Sequence, residues 1–139
     1  MENCLICHKH KGIEAIPPGG YIYEDEHWMV CHAPVKIGPL GTLFIESKRH
    51  ILDFAELNQE EQASYGVLAT KIYKSLKKLM DVERVYQLST VEGVPHLHVW
   101  FVPRLKEIKE RSIAFLSRDD SCDEKDAIEL ANKLRDLMK

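Results

Sequence analysis

P-H-L-H-V-W-F-V-P-R, Pro95 to Arg104, decides how this chain is read. Polar and apolar residues alternate along it, the pattern of a strand with one face buried. His96, His98 and Trp100 fall on one face; Leu97, Val99 and Phe101 fall on the other. Imidazoles at neighbouring same-face positions stand roughly 7 Å apart, so His96 and His98 can line one small site. The apolar face anchors the strand on a core, and Pro103, which lacks a backbone donor, is expected to help end it. On local grounds the two histidines are equally well explained as polar residues on the wet face of an ordinary sheet.

Around that strand, 139 residues with 45% hydrophobic and 29% charged content describe an ordinary globular chain, expected to form one domain over residues 1–139. The formal charge of -3 gives no footing for a long nucleic acid as partner. No apolar run is long enough for a membrane span, and the first ten residues lack the pattern of a signal peptide. The expected location is therefore the cytoplasm, where four cysteines are thiols or metal ligands rather than a disulfide framework.

The pattern predicts strands at Tyr21–Glu24, His27–His32, Gly41–Glu46 and Val85–Thr90, with the third apolar enough to lie centrally. The short loop Val91–Val94 predicts antiparallel pairing of Val85–Thr90 with the histidine strand. Asn58 and Glu61 form a capping box, and Ala63, Val67, Leu68, Ile72, Leu76 and Leu79 follow at helical spacing. Lys71, Lys74, Lys77 and Lys78 read as a solvated face of that helix, suited to its dipole. Residues 105–139 form a tail, mixed from Leu105 to Arg118 and helical from Ser121 to Lys139. Cys122 begins that helix without a visible partner. The fold class expected is α+β, an antiparallel sheet of about five strands packed with two main helices.

Cys4-Leu5-Ile6-Cys7 opens residues 1–10 with a C-x-x-C pair, which from a tight turn supplies half of a tetrahedral zinc site. A redox pair ordinarily follows a strand and opens a helix, and three preceding residues leave no room for that strand. Inert thiols are the remaining alternative. Any further ligands must come from elsewhere; His8 and His10 are nearest in sequence, and His50 is ambiguous.

H-L-H-V-W-F-V-P-R, the upstream G-T-L-F-I-E-S-K-R-H and the N-terminal C-L-I-C together resemble the histidine triad nucleotide-binding superfamily, in its order, from Cys4 to Arg104. The resemblance implies a homodimeric fold of five antiparallel strands and two helices, binding nucleoside phosphates. In the zinc-carrying branches the C-x-x-C pair joins two histidines, which implies a structural Zn²⁺ on Cys4, Cys7, His50 and His96. That set is closed, with no open coordination position. The middle motif histidine is the family's nucleophile, implying that His98 attacks an α-phosphorus and forms a nucleotidyl-imidazole that water hydrolyses.

This sequence departs from the family at four places. Trp100 stands at the third histidine, which in the family contacts the phosphate or the leaving-group region; an indole has one donor and cannot shuttle a proton. Cys31 stands where a ribose-contacting Asp or Asn is common. Val91-Glu92 replaces a Gly-Gln pair, and Glu92 would repel a phosphate unless turned away. The loop before the motif is also shorter than usual. Ser89 and Thr90 are candidate substitute donors, and Trp100 offers a face for stacking. Two functions follow: a hydrolase or nucleotidyl transferase acting on a nucleotide phosphoramidate or dinucleoside polyphosphate, or a nucleotide-binding module of the same fold with weak or no turnover.

Overall fold

In the computed structural model, which describes residues 3–139, five strands make one antiparallel sheet. They are β1 (Tyr23–Glu24), β2 (Trp28–His32), β3 (Leu43–Ser47), β4 (Val82–Leu88) and β5 (His98–Leu105), in the spatial order β1-β2-β3-β5-β4. Four helices accompany them: α1 (Leu5–His10), α2 (Gln59–Leu79), α3 (Ile113–Leu116) and α4 (Glu124–Leu137). The α+β class and the antiparallel β4–β5 pair agree with the sequence reading. Met1 and Glu2 of the N-terminal segment lie outside the described residues.

Period two divides the sheet into a core face and a site face. Val30, Leu43, Ile45, Val85, Val99 and Phe101 join Leu68, Ile72 and Leu76 of α2 and Leu130 and Leu134 of α4 in one apolar core. Each such side chain stabilises the fold by about 1.5–3 kcal/mol through burial. The cross-strand pairs Phe44–Trp100, Glu46–His98 and Leu88–Trp100 put Glu46, Phe44, His98, Trp100 and Leu88 together on the opposite face.

Several boundaries moved, each for a physical reason. β5 begins at His98, so His96 belongs to the incoming loop; its neighbour Leu97 bonds Ile51 and Ser47 through its backbone instead of joining the ladder. Pro103 does not end β5, which runs on to Leu105. β3 has already stopped, with Leu43 opposite Phe101, so Pro103 has a ladder partner on one side only, where a missing donor is tolerated. Gly41 sits against this point at φ +92°, where an added Cβ would lie 2.9 Å from Pro103 Cγ. β4 starts at Val82, whose buried side chain is flanked by charged residues that obscured it. β1 is reduced to two residues because the Tyr21 carbonyl accepts from Arg135 Nε at 3.0 Å.

α2 carries the expected reciprocal cap, Glu61 N–H to Asn58 Oδ1 and Asn58 N–H to Glu61 Oε1, both 2.9 Å. Its inward stripe is Leu68, Ala69, Ile72, Ser75 and Leu76; Ala63 and Val67 face outward, correcting the expected stripe. The helix expected from Ser121 to Lys139 is α4, with Asp123 as its N-cap. Cys122 lies before that cap, and burial together with Asp126 and Asp123 pushes its thiol up, against any activation by the dipole. Among the described residues no helix is long and apolar enough to cross a membrane.

Candidate metal centre and adjoining cavity

Cys4 and Cys7 do not sit in a free turn. Cys4 is the N-cap of α1, its sulfur accepting the Cys7 N–H at 3.3 Å, so one helical turn places both thiols at the same end. His50 follows β3, and His96 arrives on the loop before β5. The ligand atoms of these four residues all lie within 4.8 Å of one another. Cys4 Sγ is 3.3 Å from His96 Nδ1, Cys7 Sγ is 3.5 Å from His50 Nδ1, and the two Nδ1 atoms are 3.2 Å apart. Zinc bonds of about 2.0–2.3 Å in a tetrahedron give donor edges of roughly 3.3–3.8 Å, so this donor set fits such an ion. His8 and His10, nearest in sequence, are not part of it: His8 pairs with Glu14 at 2.9 Å and His10 with Glu46 at 3.0 Å.

Burial pushes the Cys4 thiol up, opposite to the shift a redox thiol needs. Burial also holds His96 neutral, lowered to about 4, the form a ligand requires. Its Nε2–H donates to the Ser47 carbonyl at 2.7 Å, which leaves the Nδ1 lone pair for the sulfur side.

Two residues on, the assignment reverses. His98 Nδ1–H donates to the His96 carbonyl at 2.7 Å, so Nε2 carries the free lone pair. His98 lies 5.6 Å from Phe44 in an edge-to-face contact and lines a cavity of about 510 Å³. Ile6 and Lys9 of α1, with Phe44, Val35 and Trp100, form its walls. Trp100 also lines a second cavity of about 290 Å³, bounded by Thr42, Leu88, Thr90, Phe115 and Arg118. Of the residues expected to contact a ligand, Trp100 lines both cavities and Thr90 the second. Ser89 spends its hydroxyl on the His98 carbonyl at 2.8 Å. Cys31 is fully buried and lines neither cavity; Lys9 Nζ lies 3.6 Å from its sulfur and faces the larger one. Glu92 is exposed and lines neither, so its charge is turned away.

In the loop leading to His96 it is Val91, not Gly93, that takes a left-handed backbone, with φ 55°. For a β-branched residue that costs on the order of 1–3 kcal/mol.

Beneath the cavity lies a group the sequence reading missed. Glu46 Oε2 accepts from Lys9 Nζ at 2.6 Å, and Oε1 accepts from Tyr21 at 2.7 Å and His10 at 3.0 Å. Burial alone would raise this carboxylate, but the hydrogen bonds and the ammonium lower it to about 2. Burial would likewise lower Lys9, and the negative charge beside it, that of Glu46 while Cys31 stays a thiol, raises it instead. The available signal was a lone acid ending the apolar run of a central strand. A groove of about 590 Å³ lies elsewhere, along α2 at Val67, Lys71, Lys74 and Lys78; no histidine, cysteine or acid lines it, and it fits the solvated face expected there.

No protein-family model matches the sequence, and no curated protein matches it. Solved structures do. A hypothetical histidine triad nucleotide-binding protein of Sulfolobus tokodaii superposes with a TM-score of 0.76 at 15% identity, covering 97% of this chain and 91% of that one. A zinc-bound histidine triad family protein of Mycobacterium smegmatis gives 0.75 at 21% identity, covering 99% and 94%. A Hit-like protein of Bartonella henselae, solved with an unknown ligand, gives 0.75 at 17% identity, covering 99% and 97%. The chain has the histidine triad fold. In that fold the motif strand of this chain carries His98 and Trp100 on the open face of the sheet, and the four-residue donor cluster closes the adjacent corner.

Proposed function

We propose that this protein is a nucleotide hydrolase or nucleotidyl transferase that cleaves at the α-phosphate through a His98 nucleotidyl intermediate. The observation that carries the reading is the pair of opposed tautomers. The backbone bond to His98 Nδ1 leaves Nε2 as a lone pair facing an open cavity, while the bond to His96 Nε2 turns that ring toward the thiols. Nε2 attacks phosphorus and the bond to the leaving group breaks. Water, or a second phosphate in a transferase, then displaces the imidazole. The apolar walls, Ile6, Val35 and Phe44, suit a nucleobase, and Lys9 supplies a cation near the ribose or phosphate in place of any contact from Cys31.

Cys4, Cys7, His50 and His96 would hold Zn²⁺ in a closed Cys₂His₂ set, which supplies folding stability and no reactive water. The zinc-bound Mycobacterium smegmatis neighbour supports the choice of metal, and the Sulfolobus tokodaii neighbour, described as nucleotide-binding, supports the ligand class. The reading extends to a cytoplasmic homodimer: Cys4, Cys7, Cys31 and Cys122 form no disulfide, and β4 is an edge strand able to meet a second copy. Sedimentation at two protein concentrations tests the dimer.

One observation favours a rival: Trp100 in place of a proton-shuttling side chain suits a binding module without turnover. The deciding experiment incubates wild type and His98→Ala with a diadenosine polyphosphate, then measures released AMP and acid-labile adenylyl adduct by mass spectrometry. The hydrolase reading expects both in wild type and neither in the variant. Binding by calorimetry with neither product nor adduct would establish the rival.

A further inference from the structure

We infer that this site cleaves only nucleotides whose leaving group departs as a weakly basic anion, phosphoanhydrides above all, and is a poor phosphoramidate hydrolase. The inference rests on the proposed His98 chemistry and narrows its substrate.

Substrate choice turns on which side chains can give up a proton where the leaving group departs. Trp100 lies beside His98 on the site face and divides the two cavities. Its indole N–H can donate a hydrogen bond but cannot transfer a proton near neutral pH. In the cavity beyond it, Thr42 already donates its hydroxyl to the Pro39 carbonyl at 2.7 Å. Thr90 has a hydroxyl that does not titrate in this range. Arg118 is a permanent cation bonded to Asp120 and Glu110, and it engages the Asp120 side chain at 3.1 Å. No histidine, cysteine or lysine lines this cavity.

The larger cavity offers no acid on that side either. His32 is buried with both ring nitrogens engaged, Nδ1 with the Ala33 carbonyl at 2.7 Å and Nε2 with the Gly41 N–H at 3.0 Å. Lys9 is committed to Glu46. Glu46 is ionised, and Lys36 and Glu124 lie at the exposed rim.

The consequence follows from the electron pair. When His98 Nε2 forms the N–P bond, the pair of the breaking bond goes to the leaving atom. In a phosphoanhydride that atom is an oxygen of a phosphate, stable as the anion without a proton. In a phosphoramidate it is a nitrogen, which must be protonated as it leaves. In the second step water attacks phosphorus, the N–P pair returns to Nε2, and the water proton passes to solvent. The second step is common to both substrates, so discrimination lies in the first.

The test measures kcat/KM for wild type and Trp100→His with diadenosine polyphosphate, an adenosine phosphoramidate, and adenosine 5′-aryl phosphates from p-nitrophenyl to phenyl. The expected wild-type result is a steep fall in rate as the leaving group becomes more basic. Phosphoramidate turnover should lie at least about 10²-fold below the anhydride, the lower end of what a general acid contributes. Trp100→His should flatten the series and raise the phosphoramidate rate. A flat wild-type series, or a phosphoramidate cleaved as fast as the anhydride, overturns the inference while leaving the nucleophile intact. Absence of product and of His98 adduct even with the p-nitrophenyl ester overturns the proposed function and the inference together. The wild-type series decides the matter even if the variant does not fold.

Discussion

His96 and His98 are two residues apart, carry the same side chain and are both buried, yet the backbone gives them opposite tasks. Ser47 takes the Nε2 proton of His96; His96, through its own carbonyl, takes the Nδ1 proton of His98. One ring therefore presents its lone pair to two thiols and the other to an open cavity. Neither task is a property of histidine; each is set by the carbonyl the other nitrogen meets.

Removing each ring in turn separates the two roles most directly. His98→Ala should lower AMP release by about 10⁴-fold or more, the scale of removing a nucleophile, with metal content unchanged. His96→Ala should lose the metal first. If both variants lose metal, or both keep full turnover, the division of labour fails. The Cys4→Ser, Cys7→Ser double variant should carry no zinc by atomic emission. Its stability should fall by about 4 kcal/mol at free zinc some 1,000-fold above the wild-type Kd; a full metal load in the double variant would sink the site.

Glu46→Gln tests the floor that both regions share. Leaving Lys9 buried without its partner should cost about 3 kcal/mol in chemical denaturation. The pH dependence has a definite sign. The folded carboxylate is depressed from its ordinary 4.5 to about 2, so its contribution is complete above pH 4.5 and is lost as pH falls toward 2. Glu46→Gln should lose that slope, and an unchanged acid limb would contradict the pairing. The smallest effect expected is at Val91: Val91→Gly relieves the left-handed strain and should raise stability by about 1 kcal/mol, with the metal and His98 chemistry unaffected.

What the sequence disclosed was whatever repeats at short range. The alternation around His98 sorted Phe101 to the core and Trp100 to the site, and Asn58 with Glu61 marked the start of α2. The Lys9–Glu46 pair was not legible, because 37 residues separate its members and only the β3 pairing and the placement of α1 bring them together. α1 itself is six residues, too short to declare itself by periodicity. His10 looked like a metal ligand by nearness in sequence, whereas the helix turns it to Glu46 and the cluster with Cys4 and Cys7 is completed by His50 and His96. Val67 kept the apolar spacing of α2 yet faces out, because spacing defines a stripe but not its edges.

α1 has a consequence of its own. Cys4 and Cys7 tie it to the donor cluster, while Ile6 and Lys9 on the same six residues wall the cavity beside His98. Two ligands that grip one short helix are thermodynamically reciprocal: whatever factor bound zinc adds to nucleotide affinity, bound nucleotide must add to zinc affinity. Nucleotide should therefore slow the stripping of zinc by a chelator, and zinc-free protein should bind nucleotide more weakly by the matching factor. Independence of the two affinities would mean that α1 stays seated without its metal, held by Lys9 and Glu46 alone.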